Sequence, residues 1–300
     1  MKLALLILLS AIACARDFVE LAKLYDYDRD APVNFGLKEI EARDGCQYYS
    51  VRFALPKGTL RSAFLVVPIG FSGRRPAIVW MHSSGAGQFL GDAFLMARAG
   101  AASLLVEAEG MNGNTPEESR DKGISDVIAL RRAVDLLQAR PDVDPARIAV
   151  VGHSYGAMMA AVAASVDKRF RAAVFEVGLL GMSIHIGTSP HPWAEGVRKG
   201  LGRDLPHYLE VIGVVDAKHY IGHAPAIPKL FQSAWFDPGV PHKDAEDFWG
   251  ASTGPKELKW YNSGHDIDDI AALADRARFL GKALGLKSTE RVLRAKLGSR

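Results

Sequence analysis

A serine framed by two glycines stands at the end of an apolar, β-branched run, Ile148-Ala149-Val150-Val151-Gly152-His153-Ser154-Tyr155-Gly156. These residue types in this order describe a nucleophile elbow, a sharp strand-to-helix turn that exposes a serine hydroxyl. Strand and helix pass so closely in such a turn that only glycine fits two residues before and two after the serine. The flanks agree. Val127, Ile128, Leu130, Ala133, Val134, Leu136 and Leu137 have helical spacing, and Pro141-Asp142-Val143-Asp144-Pro145 ends that helix. Ala157 to Val166, after the turn, is rich in Ala and Met and holds no breaker. An ordinary glycine-flanked turn would not need this order, so Ser154 is the candidate nucleophile.

A serine hydroxyl is a weak nucleophile at neutral pH; it needs a base within hydrogen-bond reach and a third group to orient that base. Of the nine histidines, His265 in Gly264-His265-Asp266 follows a late strand, 258–261, and is the expected base. Its competing reading is a helix-start histidine beside an N-cap, Asp266. The orienting acid should lie in the loop after the preceding strand. That loop contains Asp237, within Asp237-Pro238-Gly239, which is also good turn sequence. Asp244, Glu246 and Asp247 are rivals placed at an exposed helix start, and Glu176, at the end of the strand after the elbow, ranks behind Asp237. Acyl transfer further requires amide donors aimed at the developing oxyanion. The expected donors are the N–H of Tyr155 and, in His82-Ser83-Ser84-Gly85, the N–H of Ser84, with Ser83 next. His82 is expected to organise that loop, and His153 to pack beneath the site. The remaining histidines lack metal-ligand spacing, so no metal and no cofactor are expected.

The elements that must hold these residues alternate along the chain. Residues 47–53 and 62–67 read as two strands joined through Pro56-Lys57-Gly58. Strands at 76–81, 101–106, the elbow strand, 172–176, 228–235 and 258–261 then alternate with helices at about 90–99, 126–138, 157–166 and 267–284. This rhythm predicts an α/β fold, a mostly parallel central sheet with helices on both faces. Ligands in such sheets bind beyond the carboxyl ends of the strands, where every candidate above falls. The stretch 177–227 breaks the rhythm and reads as a cap-like insertion after the sixth strand. Trp193, Tyr208 and Tyr220 lie in it, as pocket lining or as packing.

Three hundred residues with 48% apolar content and a net charge of +3 describe a single domain of 16–300 with no polybasic tract for nucleic acid. Met1-Lys2 and the apolar Leu3 to Ala13 have the form of an export signal, shorter than the ~20 residues that span a bilayer. Cleavage is expected after residue 15, or after 13 with a lipid anchor on Cys14, although Ala11 stands where a lipobox usually has Leu. A buried N-terminal helix is the alternative. The expected location is periplasmic or extracellular, with no membrane span.

Gly152-His153-Ser154-Tyr155-Gly156, Asp237-Pro238-Gly239-Val240-Pro241 and Gly264-His265-Asp266, with Val143-Asp144-Pro145-Ala146-Arg147-Ile148 leading into the elbow, together resemble the α/β-hydrolase superfamily. The likeness spans about residues 48 to 285 and is nearest to dienelactone-hydrolase-like, acetyl-esterase and prolyl-oligopeptidase-type catalytic domains. It implies a serine hydrolase cleaving small-molecule carboxylic esters through an acyl-enzyme. Two positions depart: Ser83 stands where a glycine usually follows the oxyanion-loop histidine, and Ser154 where dienelactone hydrolases carry cysteine. A secreted serine peptidase or aminoacyl hydrolase is the alternative activity, and a non-catalytic binding protein the alternative class. A prolyl-type peptidase would usually add a propeller, whose blades take roughly 40 to 45 residues each.

Overall fold

The computed structural model describes residues 17–298. The expected export signal and Cys14 lie outside them. The strands are β1 (Phe35–Arg43), β2 (Cys46–Ala54), β3 (Leu60–Pro68), β4 (Arg75–His82), β5 (Ala102–Val106), β6 (Val143–His153), β7 (Phe170–Glu176), β8 (Lys229–Ala234) and β9 (Lys256–Tyr261). They form one sheet in the order β1-β2-β3-β5-β4-β6-β7-β8-β9. The first three strands are antiparallel, β3 meets β5 antiparallel, and every pairing from β5 to β9 is parallel.

Parallel strands buried on both faces need apolar side chains in both directions, and β4 shows this with all eight residues buried. Val79, Met81 and Val150 point into one core with helices α2 (Pro116–Ala139) and α3 (Tyr155–Val166). Ile78, Trp80 and Val151 point into the other, with α1 (Leu90–Ala99), α8 (Ile270–Leu284) and α9 (Thr289–Leu297). Helices α4 (Met182–Thr188), α5 (Pro192–Leu201) and α6 (Leu205–Gly213) fill the connection from β7 to β8. Helix α7 (His242–Ala251) joins β8 to β9.

Strand β1 is absent from the sequence expectation. Only Glu41 of its nine residues falls below full exposure and a bulge interrupts it between Glu39 and Glu41, so no alternation marks it. The connection holding α4 to α6 consequently follows the seventh strand, not the sixth. Among the described residues, no helix is long and apolar enough to cross a membrane.

Candidate active site

Three loops at the carboxyl ends of β6, β8 and β9 converge. At the first, Ser154 occupies φ 56°, ψ −119°, a region that side chains rarely adopt. The turn is tight because a Cβ on Gly152 would overlap the Gly156 carbonyl, and one on Gly156 would overlap that of Met81. Ser154 N–H donates to the Glu176 carbonyl at 2.8 Å, which fixes the elbow to β7. Val177 (φ 43°) and Ile267 (φ 45°) are also left-handed, and both flank the site; β-branched residues hold such angles only where their surroundings impose them.

The acid and histidine loops extend the pairing of their strands. Trp235 N–H donates to the Tyr261 carbonyl at 2.9 Å and Phe236 N–H to that of Ser263 at 3.1 Å, which sets Asp237 opposite His265. Asp237 Oδ1 accepts the amides of Gly239 (2.7 Å) and Val240 (3.0 Å). Its turn chemistry and its orientation toward His265 are therefore the same feature. His265 Nδ1 lies 2.8 Å from Asp237 Oδ2, and His265 Nε2 lies 2.8 Å from Ser154 Oγ. Because a carboxylate only accepts, Nδ1 carries the proton and Nε2 is left free to receive one from the serine. The Asp237 side chain is 1% exposed and that of His265 32%, so the carboxylate is shielded while the imidazole reaches solvent.

The rival acids stand elsewhere. Asp244, Glu246 and Asp247 belong to α7, where Asp247 pairs with Lys243. Glu176 faces α8, with Oε1 3.0 Å from Arg276 Nη1, and burial pushes its carboxyl up to about 8. Asp266 caps nothing; the N-cap of α8 is Asp269, which accepts the Ala271 amide.

Tyr155 N–H opens α3, among the first-turn amides that have no intrahelical acceptor. Its phenol donates to Asp126 Oδ2 at 2.8 Å, and Asp126 also receives the Glu109 and Gly110 amides and Arg61. That buried carboxylate, which sequence reasoning missed, locks the residue after Ser154 to α2 and the loop after β5. Ser84 N–H donates to His82 Nδ1 at 3.0 Å, so this oxyanion-loop amide is already engaged by the histidine expected to organise the loop. An open cavity of about 510 Å³ lies between that loop and the histidine loop, lined by His82, Ser84, Asp92, Asp266, Asp268 and Arg276 among others. In the connection from β7 to β8, Trp193 is half exposed, Tyr208 is half-buried, and Tyr220 is fully buried against Tyr25. Tyr220 is therefore packing. No group of three or more His, Cys, Asp or Glu is placed to hold a metal among the described residues.

Solved structures share this fold. An acetyl xylan esterase from Thermoanaerobacterium sp. superposes with a TM-score of 0.73 at 19% identity, over 91% of this chain and 94% of that one. A second, from Paenibacillus sp. R4, gives 0.71 at 19% identity, over 88% and 92%. An acylaminoacyl peptidase of Pyrococcus horikoshii gives 0.63 at 16% identity, over 87% of this chain but 44% of its own. No curated protein matches the sequence. The prolyl oligopeptidase family matches residues 92–253, more than half of the chain and inclusive of the elbow and the acid. The protein therefore belongs to the prolyl oligopeptidase family and is a serine hydrolase with the α/β-hydrolase fold.

Proposed function

We propose that the protein hydrolyses carboxylic esters of small molecules through an acyl-enzyme on Ser154. The observation that carries this reading is the continuous relay of Ser154 Oγ, His265 and Asp237, with 2.8 Å at both ends of the imidazole. Ser154 Oγ attacks the ester carbonyl carbon while His265 Nε2 takes its proton, and the carbonyl oxygen becomes an oxyanion. Tyr155 N–H is one donor to that oxyanion. Ser84 N–H is the second once it exchanges His82 Nδ1 for the oxygen, with Ser83 N–H next along the loop. Collapse of the intermediate breaks the bond to the alcohol oxygen, which leaves with the proton held on His265. Water, deprotonated by His265, then attacks the acyl-enzyme, releasing the acid and restoring Ser154. Asp237 keeps Nδ1–H in place and stabilises the imidazolium that forms twice per cycle.

Esters rank above peptides because the two acetyl xylan esterases align over nearly their whole lengths, whereas the acylaminoacyl peptidase aligns over less than half of its own. Family membership keeps aminoacyl amides as the second reading. Turnover of p-nitrophenyl acetate and butyrate, acetylated sugars and aminoacyl p-nitroanilides tests both. The expected result is ester turnover that disappears in Ser154→Ala. Equal rates in the two proteins would remove the assignment, and turnover confined to the anilides would replace the ester with the amide.

A further inference from the structure

The histidine inside the elbow, His153, has no part in the steps above, yet its ring lies between the oxyanion loop and the histidine loop. His82, His153, Glu176 and Gln232 sit at one register level on β4, β6, β7 and β8, with His82 opposite His153, His153 opposite Glu176 and Glu176 opposite Gln232. In each strand the residue two before points into the core shared with α1 and α8, so alternation sends all four side chains toward those helices. Four polar residues at that depth are unusual, and each needs a partner. Gln232 and Glu176 meet Arg276 of α8. His153, 1% exposed, instead directs Nε2 at the backbone carbonyl of His265, 2.8 Å away.

A carbonyl only accepts, so His153 Nε2 carries the hydrogen and a neutral His153 leaves Nδ1 bare. That Nδ1 is buried with no hydrogen-bond partner among the described residues. The His153 ring stacks on His82, centroids 4.0 Å apart at 5°, and meets the His265 ring edge to face at 5.2 Å. His82 in turn accepts the Ser84 amide at Nδ1, which makes it the Nε2–H tautomer as well. The chain of contacts runs from the oxyanion loop through His82 and His153 to the main chain of His265.

We propose that His153 is a positioning residue that holds the backbone of His265, and through its stack on His82 fixes the oxyanion loop relative to the base. The role requires a neutral ring. Burial disfavours the charge on both rings, His82 opposes it on His153, and His265 and Arg276 of α8 oppose it on both; the other surrounding groups are Asp92 of α1, Glu176 of β7 and Asp266 of the histidine loop. A second proton on His153 would also lack an acceptor. Displacing a base by about an ångström costs on the order of 100-fold in rate, so one hydrogen bond to its backbone is enough to matter.

This inference rests on His265 being the base, and its test separates the two. His153→Phe keeps a flat ring on His82 but removes the donor, whereas His153→Gln restores an N–H. The expected result is a kcat lowered about 10- to 100-fold in His153→Phe with KM little changed, and mostly recovered in His153→Gln. Wild-type kcat in His153→Phe, or equal losses in both variants, would overturn the proposal. In the wild-type protein, labelled with 15N-histidine and assigned against His153→Gln, the His153 ring should remain the neutral Nε2–H tautomer from pH 5 to 8. A His153 that titrates in that window, or that carries its proton on Nδ1, overturns the proposal whatever the kinetics of the variants. If the wild type turns over no substrate and Ser154 is inert, the catalytic reading fails, and the 15N spectrum still decides the hydrogen bond.

Discussion

Asp237 and Glu176 are both carboxylates at strand ends near the elbow, and their neighbours give them opposite tasks. Asp237 is held by two amides and faces an imidazole; Glu176 is sunk against Arg276 under the sheet edge. Replacing an orienting aspartate by asparagine inverts the hydrogen-bonding demand on the histidine tautomer and costs about 10⁴-fold in kcat in the best-studied case. We expect Asp237→Asn to lose on the order of 10³- to 10⁴-fold in kcat with KM little altered, and at least about a hundredfold more than Glu176→Gln. Steady-state kinetics on one nitrophenyl ester decides between them. The proximity of Ser154, His265 and Asp237 was readable from the chain because each follows a strand end in an order that the elbow prescribes. The ties of Ser84 to His82 and of His153 to the His265 carbonyl were not, since they depend on which way a ring turns in a packed site.

At the scale of elements, the elbow survives only while β6 and α3 remain at glycine distance. A methyl group on Gly156 would enter the Met81 carbonyl of the neighbouring strand, and backbone cannot move aside as a side chain can. Gly156→Ala should cost more than about 4 kcal/mol, or the folded state altogether, read by urea unfolding. Gly91→Ala, in α1 with nothing within 4 Å of the added carbon, should instead gain about 0.5 to 1 kcal/mol. Helix α2 begins ten residues earlier than its apolar spacing indicates, because its first turns are polar and carry Gly123. A signal was present: Thr115 accepts the Glu118 amide at 3.1 Å, the first half of a capping box in Thr-Pro-Glu-Glu. Thr115→Ala should destabilise by about 1 kcal/mol, measured the same way. Strand β1 offered no comparable signal, being an exposed edge strand whose order comes from pairing with β2. The short helices α4 to α6 were hidden for a related reason: Gly, Pro and His break their periodicity, and contacts with one another and with α2 hold them.

For the whole molecule, buried titratable groups around the sheet edge set the pH range of stability. Burial lowers His82 to about 4 and places His153, His185 and His219 below the usual histidine value of about 6.5. The unfolded chain then binds more protons than the folded one as pH falls below about 6.5, and stability is lost toward pH 4. Glu176 works in the other direction. Raised from 4.5 to about 8, it contributes stability at low pH that is lost as pH rises from about 4.5 to 8. Several histidines outweigh one glutamate on the acid side, so the melting temperature should peak near neutrality, and Glu176→Gln should flatten the alkaline limb but not the acid one. Melting curves from pH 4.5 to 8.5 test this; an unchanged alkaline limb in the variant would refute it. At the same scale, the chemistry of the site reduces to one observable on the intact protein. Exposure to a fluorophosphonate at neutral pH, followed by intact-mass and peptide mass spectrometry, should yield one adduct per chain, on Ser154, formed at least about a hundredfold more slowly in His265→Ala. An unmodified Ser154, or labelling equally fast without His265, would contradict the account of Ser154 as a nucleophile activated by His265.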